Sequence, residues 1–215
     1  MVAVPRRATP AQRREQRRSE LAGQLVGPLD ELLGRTRSLE EVGLADLLEL
    51  AGLPRSTFYY AFEGKSELLT AIGLHLVDGL FRPGQRLLEG EVQVPVHAIA
   101  RAAEEIGEGL NRHPHVSSAL LPGLGLARAP RELDERIDEV RVRLEQQIAA
   151  HAAAGLMRPG IDPGPTAAWL VAMLLHGTGR LLAAVGPVAR RRNAWAMAEV
   201  AWLALYGPPT AAHDA

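Results

Sequence analysis

Apolar residues recur every three or four positions along most of the chain, which is the spacing that places them on one face of a helix. The longest regular stripe lies in residues 130–154 and consists of Leu133, Ile137, Val140, Leu144 and Ile148. Runs of alternating apolar and polar residues between turn signals, which would indicate half-buried strands, are missing. The pattern therefore predicts an all-α protein.

Glycine and proline divide this helical pattern into segments. The first segment begins at Thr9-Pro10, because Thr is a helix cap and Pro is tolerated at the first helical position. Gly27-Pro28 lies inside it, and we expect a kink or a break there because Pro removes a backbone donor. Arg82-Pro83-Gly84 predicts the end of a later helix in the same way. We therefore place a domain boundary between residues 1–82 and 83–215.

Residues 38–44 are compatible with two different helix starts. Ser38-Leu39-Glu40-Glu41 fits a capping box, in which the Ser hydroxyl and the Glu carboxylate each bond a backbone amide. Gly43 could instead cap a shorter helix that begins at Leu44, and both alternatives stay open. Further helices are expected over residues 96–112, 116–127, 130–154, 165–185 and 188–206.

The composition is that of a folded globular chain and excludes several kinds of chemistry. Of the 215 residues, 47% are hydrophobic and 23% are charged, which suits one large domain or two small ones. The lack of Cys excludes a disulfide scaffold, an iron–sulfur cluster, a thiolate zinc site and a Cys nucleophile. The longest apolar run, residues 167–175, is shorter than the roughly 18 residues of a membrane span. No secretory leader is recognisable, so we expect a soluble cytoplasmic protein with no membrane partner.

The net charge of −1 hides a basic N-terminal arm. Residues 1–18 contain six Arg and one Glu, which gives +5, so the rest of the chain sums to −6. A basic arm on an acidic body indicates a polyanionic partner, for which Arg13 and Arg14 are the candidate contacts. The alternative is a solvated tail.

Residues 39–69 have the physical features of a helix-turn-helix. One helix ends at Gly52, which can take the left-handed conformation of a tight turn. The apolar side chain of Leu53 would pack inside this turn. A second helix of two turns is too short to be stable alone, so Phe58 and Phe62 must pin its inner side. Its outer side shows donors and flat rings, a shape that enters the major groove of DNA. The outer residues are Arg55, Ser56, Thr57, Tyr59 and Tyr60.

This stretch resembles the TetR family of transcriptional regulators. The matching residues, in order, are Ala51-Gly52-Leu53, Arg55-Ser56-Thr57, Phe58, Tyr59, Tyr60, Ala61, Phe62 and Lys65-Ser66-Glu67-Leu68-Leu69. The match covers about 30 of the 215 residues. It implies an N-terminal three-helix helix-turn-helix DNA-binding domain in residues 1–82 and a C-terminal helical effector-binding and dimerisation domain in residues 83–215.

The resemblance also implies a role for each outer residue. Arg55, Ser56 and Tyr59 would approach base edges of a double-stranded operator, and Thr57 and Tyr60 would contact phosphates. Lys65, at the start of the next helix, corresponds to the phosphate-binding Lys of the family. The alternative for Tyr59 and Tyr60 is a ring packed in the core. Three departures put DNA affinity in doubt. Ala61 stands where the family often has His, Pro54 replaces the usual Ser or Thr cap, and the connection between Gly34 and Leu44 is longer than usual.

Members of the family dimerise through their last two long helices, which implies a homodimer that represses at a palindromic operator. The interface residues would be Gly177, Arg180, Leu181, Trp195, Trp202 and Tyr206. The alternative is that these side chains belong to the core of a single chain.

The helical body between residues 85 and 185 would hold a mostly apolar small-molecule effector, whose identity the sequence does not give. The expected lining is Ile99, Ile106, Leu110, Leu120, Leu121, Val140, Leu144, Trp169, Met173 and His176. His176 would be the polar group of the site, unless it is a satisfied core histidine. Effector binding would then swing the helix at residues 65–81 and separate the two reading helices.

Two other classes of function compete with a regulator. An enzyme is not expected, because His113-Pro114-His115 has no third ligand at metal-binding spacing and no nucleotide loop follows a strand. We accordingly expect no cofactor and no metal. A helical adaptor that binds another protein would fit the sequence if Ala61 and Pro54 had lowered the affinity for DNA.

Overall fold

The computed structural model describes residues 9–36, 38–87, 89, 93–120, 130–178, 181–182 and 185–207. This part of the chain forms nine α-helices and contains no β-strand, so the prediction of an all-α protein is confirmed. The helices are α1 (Pro10–Leu33), α2 (Leu44–Leu50), α3 (Arg55–Ala61), α4 (Lys65–Leu87), α5 (Val96–Asn111), α6 (Pro114–Leu120), α7 (Arg131–Ala153), α8 (Pro163–Thr178) and α9 (Pro187–Tyr206).

The chain divides into two compact units, Met1–His75 and Leu76–Ala215. In the first unit, α1 contacts both α2 and α3. Its apolar stripe, which includes Leu21, Leu25 and Leu29, is fully buried together with Phe58 and Phe62. The first unit therefore holds the short α3 against a long helix that supplies most of the apolar surface.

Two prolines lie inside helices, so the predicted helix break at Arg82-Pro83-Gly84 is wrong, and Gly27-Pro28 does not end α1. A proline leaves the carbonyl four residues earlier without its helical donor. For Pro28 and Pro83 these carbonyls belong to Gln24 and Gly79, which are exposed, so water can bond them. The exposure of these two residues lowers the cost of continuing each helix through its proline.

The second of the two predicted starts of α2 is the one observed. Gly43 is the N-cap, with an extended backbone at φ −71° and ψ 135°. Its carbonyl accepts the first helical hydrogen bond, from the N–H of Leu47 at 3.1 Å. Ser38 and Glu41 lie in the preceding turns, outside the helix.

The second unit is built from two helix pairs, with α5 packed on α9 and α7 packed on α8. Gly107 lets the backbone of α5 approach closely, because a Cβ there would lie 2.8 Å from the Cβ of Leu182 and 2.9 Å from the Cδ of Arg190. Arg190 is itself buried, and its Nε donates to the carbonyl of Leu182 at 2.9 Å. An ion pair between Arg136 of α7 and Asp78, with 2.7 Å between Nη2 and Oδ1, joins α7 to the part of α4 that belongs to this unit.

Candidate functional site

The turn between α2 and α3 depends on Gly52, which has a φ of +60°. The N–H of Leu53 donates to the carbonyl of Leu48 at 2.9 Å, and the N–H of Gly52 donates to that of Glu49 at 3.0 Å. This arrangement satisfies the last carbonyls of α2 and reverses the chain direction, which is the usual task of glycine after a helix. The predicted turn of a helix-turn-helix is therefore present at the predicted residue.

The start of α3 is regular in spite of Pro54. Pro54 is the N-cap, with an extended backbone at φ −61° and ψ 139°. Its carbonyl accepts hydrogen bonds from the N–H groups of Thr57 and Phe58, at 3.0 and 3.2 Å. Proline fits at this position because no hydrogen-bond donor is needed there.

The inner side of α3 is anchored by aromatic packing. Phe58, Ala61 and Phe62 are fully buried, and the rings of Phe58 and Phe62 have centroids 5.3 Å apart. Ala61 thus lies on the side of the helix turned away from solvent. A helix of two turns cannot hold its shape by backbone bonds alone, so these buried side chains fix both its existence and its orientation.

The outer side of α3 presents a continuous polar and aromatic surface. Arg55 and Ser56 are exposed, and Tyr59 and Tyr60 are 55% and 68% exposed. Because successive residues advance by about 100°, these four side chains occupy roughly 140° of the helix circumference. Thr57 is half-buried at the edge of this arc. The alternative that either tyrosine is a core ring is therefore excluded.

The ring of Tyr59 is supported by the core beneath it. It packs edge-on against Phe58, with centroids 5.3 Å apart and an angle of 83° between the rings. The phenol is thereby held on one side by a fully buried ring while its other side stays open to solvent. The residues of α3 include no carboxylate, so Arg55 carries the only formal charge of this helix.

The described arginines of the basic arm fall into two groups. Arg13 and Arg14 are exposed, and neither forms a salt bridge with another described residue. Arg17 pairs with Glu20 on the surface of α1, with 3.3 Å between Nη1 and Oε2. Arg18 is directed toward the end of α3 and the start of α4.

Arg18 connects three elements of the first unit. Its Nη2 lies 2.8 Å from the Oε1 of Glu67, and its guanidinium carbon lies 5.8 Å from the centroid of Phe62. The other oxygen of Glu67 accepts a hydrogen bond from the N–H of Glu63 at 2.6 Å, just after α3. Arg18 and Glu67 therefore fix the junction between α3 and α4 to α1.

Lys65 makes contacts that differ from those implied by the resemblance. Its Nζ donates to the carbonyls of Leu39, Val42 and Glu40, at 2.6 Å for Val42 and 3.4 Å for Glu40. An ammonium group has three hydrogens, so all of them are engaged by the turns before α2. A phosphate contact would have to replace one of these bonds. The same ammonium contributes, after the hydroxyl of Ser38 and the backbone, to lowering the pKa of Glu40.

A cavity of about 110 Å³ lies within the second unit. Of the predicted lining residues, Ile99, Ile106, Val140, Leu144 and Met173 border it. Leu110 and Leu120 are not among the described residues that line it, and Leu121 lies outside the described residues.

The predicted cavity lining is corrected at two positions, Trp169 and His176. Trp169 is 76% exposed and His176 is also exposed, so neither reaches the cavity. The two residues are seven apart on α8, which places them on one outer face of that helix. His176 is therefore not the polar group of this cavity.

Sequence reasoning missed the part of the lining that α4 and α9 supply. It consists of Phe81, Gly84, Gln85 and Leu87 of α4 and Met197, Ala198, Ala201 and Leu205 of α9. The α4 residues were hidden because Arg82-Pro83-Gly84 predicted the end of the helix. The apolar spacing of Met197, Ala201 and Leu205, at intervals of four, was the available signal for α9.

The predicted interface residues have mixed positions in the second unit. Trp195 and Leu181 are exposed, Gly177 and Trp202 are half-buried, and Arg180 lies outside the described residues. The predicted interface position of Tyr206 is corrected, because this side chain is buried within the chain. Its hydroxyl accepts a hydrogen bond from the N–H of Val94 at 3.3 Å. That burial raises the pKa of Tyr206.

The described ranges lack two kinds of feature. No helix there is long and apolar enough to span a membrane. No group of three or more His, Cys, Asp or Glu side chains in those ranges is placed to hold a metal ion.

The fold, with a helix-turn-helix in the first unit and a helical second unit, is that of TetR-family transcriptional regulators. Neither the protein-family models nor the curated proteins give a match to the chain. The similarity therefore lies in the three-dimensional arrangement and not in extended sequence identity.

Three solved structures illustrate this similarity. SmeT, the repressor of the Stenotrophomonas maltophilia multidrug efflux pump SmeDEF, has a TM-score of 0.60 at 18% identity over 86% of this chain and 89% of SmeT. A TetR-family regulator from Mesorhizobium loti has a TM-score of 0.59 at 15% identity over 92% and 98% of the two chains. A TetR-family regulator from Streptomyces coelicolor has a TM-score of 0.58 at 23% identity over 86% and 82%.

Proposed function

We propose that this chain is a TetR-family transcriptional regulator that binds double-stranded DNA through the outer side of α3. The observation that carries the proposal is the exposed face of Arg55, Ser56, Tyr59 and Tyr60 on a helix whose inner side is fully buried. A rigid helix with exposed donors and rings matches the dimensions and chemistry of the major groove.

Each side chain of this face has a distinct part in the proposed complex. The guanidinium of Arg55 is suited to the two acceptors of a guanine edge, and the ring of Tyr59 is suited to thymine methyl groups. Tyr60 and the half-buried Thr57 lie toward the rim of the face, where phosphates of the groove wall would be met. Arg13 and Arg14 add positive charge from α1 without base specificity.

We propose that the active form is a homodimer that uses the outer faces of α8 and α9. Trp169 on α8 and Val188 on α9 are 76% and 86% exposed, and Trp195, Val200 and Leu203 of α9 are also exposed. Large apolar side chains grouped on neighbouring helices are typical of a protein interface. A two-fold dimer would present two α3 helices to a palindromic operator and repress transcription in the cytoplasm, without enzymatic activity.

The proposed control is a small-molecule effector bound in the cavity of the second unit. α4 lines the cavity with Phe81, Gln85 and Leu87, and the same helix begins at Lys65, three residues after Phe62. A ligand that displaces α4 would also move the N-terminal end of α4, which follows α3 in the chain. That movement would change the spacing of the two α3 helices in the dimer. This is an equilibrium between two arrangements, which the ligand shifts by binding one of them more tightly.

Selection of bound duplexes from a random pool tests this function. The full chain should enrich a palindrome whose half-sites are spaced by about one turn of DNA, since two copies of α3 are presented together. Enrichment should disappear for Arg55→Ala. Retention of all duplexes with equal, strongly salt-dependent affinity would contradict the proposal and favour an adaptor with a basic arm.

A further inference from the structure

The exposed side of α9 carries two opposite charges on an otherwise apolar stripe. Val188, Trp195 and Leu203 are 86%, 39% and 55% exposed, and Arg192 and Glu199 are exposed between them. Because successive residues of a helix advance by about 100°, these five side chains occupy roughly 80° of the circumference. We call them the α9 stripe. It is apolar at both ends and charged on either side of Trp195.

Neither charge of the α9 stripe is paired within the part of the chain that the structure describes. Arg192 and Glu199 form no hydrogen bond and no ion pair there. They lie about 10 Å apart along the helix axis, which is too far for an ion pair between them. The neighbouring Arg191, by contrast, lies 3.6 Å from Glu104 of α5, measured from Nε to Oε1. The two charges of the α9 stripe are thus available to a partner molecule.

The exposed positions of α9 are arranged symmetrically about one point of the helix. In its central turns, residues 191–200, they are Arg191, Arg192, Trp195, Ala196, Glu199 and Val200. These residues form three pairs at equal distances on either side of the midpoint between Trp195 and Ala196. A two-fold axis perpendicular to the helix at this midpoint therefore meets the centre of its exposed side.

A second copy of the chain, related by such an axis, supplies both missing counter-charges at once. The two α9 helices then run antiparallel, and each residue meets the one equally far beyond the axis. Arg192 meets Glu199 of the partner subunit, and Glu199 meets Arg192 of the partner subunit. The same axis brings Val188 to the partner's Leu203 and the large ring of Trp195 to the small Ala196 of the partner subunit. Charges and apolar groups are therefore matched along the whole α9 stripe.

Other arrangements of two α9 helices leave these charges unmatched. A shift of the axis by half a residue would place Arg192 opposite Ala198 or Val200, which carry no charge. A parallel arrangement would place each charge opposite its own copy, and like charges in contact cost several kcal/mol in an interface. The order of the charges thus favours the antiparallel register centred between Trp195 and Ala196.

We propose that Arg192 and Glu199 pair reciprocally across the two-fold axis, and that these pairs make the chain select a second copy of itself in one antiparallel register. The inference rests on the proposed homodimer. It goes further by naming the residues that determine the register and the choice of partner. A helix without the opposite order of charges is rejected, because a desolvated charge without a counter-charge is costly.

Charge reversal of the two residues tests the pairing. Arg192→Glu and Glu199→Arg should each raise the dissociation constant of the homodimer by about tenfold or more, since each places two like-charge contacts in one dimer. The double variant should return to the wild-type value. Arg143→Glu, at an exposed position on α7, is the control for the change of charge and should have no effect. Light scattering over a dilution series measures the dissociation constants. Unchanged dimerisation of both single variants, or no recovery in the double variant, would overturn the inference.

Mixing of chains tests the register. Arg192→Glu and Glu199→Arg should form a heterodimer with each other, because opposite charges then meet at both contacts. Wild type and the double variant should form none, because like charges then meet. Native mass spectrometry, with one of the two chains isotopically labelled, counts the species. Preferred pairing of wild type with the double variant would indicate parallel helices, and statistical mixing would place both charges outside the interface. Either result would overturn the inference.

These measurements are made without DNA, so their failure is distinct from failure of the proposed function. A dimeric chain that selects a palindrome but mixes statistically retains the regulator function and loses this inference. A chain that pairs as expected but selects no duplex retains the inference and loses the regulator function. A wild-type chain that is monomeric at every concentration overturns the homodimer and this inference together.

Discussion

The Nζ of Lys65 donates a hydrogen bond to the carbonyl oxygen of Val42 at 2.6 Å, across more than twenty residues of sequence. The same ammonium also bonds the carbonyls of Leu39 and Glu40. These bonds join the first residue of α4 to the turns that lead into α2. Lys65 therefore acts as a positioning residue inside the helix-turn-helix.

Lys65→Met should lower the free energy of unfolding by about 1–3 kcal/mol, because it leaves three carbonyls without their charged donor. It should leave the slope of log affinity against log salt unchanged, since no phosphate contact is lost. Urea unfolding and DNA titrations at several salt concentrations measure both quantities. Unchanged stability with a slope smaller by about 0.9 per lost contact would instead show that Lys65 neutralises phosphates.

Arg18→Met should destabilise the chain more than a surface arginine does. The pair of Arg18 and Glu67 is three-quarters buried, with side chains 25% and 27% exposed, so we expect a loss of about 1 kcal/mol, at the upper end for exposed pairs. Met keeps the apolar contact with Phe62. Arg17→Met is the control, because the pair with Glu20 is more exposed and should contribute nearly nothing. Equal losses for the two variants would contradict the proposed junction.

Gly52→Ala and Gly109→Ala should have effects of opposite sign. A Cβ at either position meets no atom within 4 Å, so the difference is one of backbone conformation alone. At Gly52, with φ of +60°, alanine should cost about 1–2 kcal/mol. At Gly109, inside α5, alanine should stabilise by about 0.5–1 kcal/mol. Thermal and urea unfolding check both, and a neutral Gly52→Ala would contradict the left-handed turn.

Val188→Glu and Trp169→Glu should shift a dimer to a monomer without unfolding it. Both side chains are largely exposed, so a charge is tolerated in the single chain but would be desolvated in the proposed interface. Light scattering behind size-exclusion chromatography measures the mass. Val142→Glu, at an exposed position on α7, should remain dimeric, and a monomeric wild-type chain would contradict the interface.

The parts of the fold that the sequence predicted correctly are those set by local signals. Gly52, Pro54 and the spacing of Phe58 and Phe62 specify the turn, the start and the buried side of α3 within a dozen residues. The apolar stripe of α7 is similarly local. These features are found where they were expected because propensity, capping and periodicity all favour the same structure there.

The errors arose where the outcome depends on distant parts of the chain. Whether Pro83 ends a helix depends on the exposure of Gly79, which tertiary packing determines. The intrachain partners of Lys65 were also beyond local signals, because they lie more than twenty residues earlier, and its phosphate contact stays a prediction. α8 is apolar on nearly all sides, so periodicity could not tell that Trp169 and His176 face outward. A helix of this kind shows its buried side only when its neighbours are known.

Paired titrations decide whether the outer side of α3 reads DNA sequence. The affinities of wild type, Arg55→Ala and Tyr59→Ala are measured on the enriched palindrome and on a scrambled duplex, with the exposed Arg131→Ala as control. Sequence reading by α3 predicts that each α3 variant loses about 1–3 kcal/mol on the palindrome and almost nothing on the scrambled duplex. Equal affinity of the α3 variants and Arg131→Ala on both duplexes would contradict it.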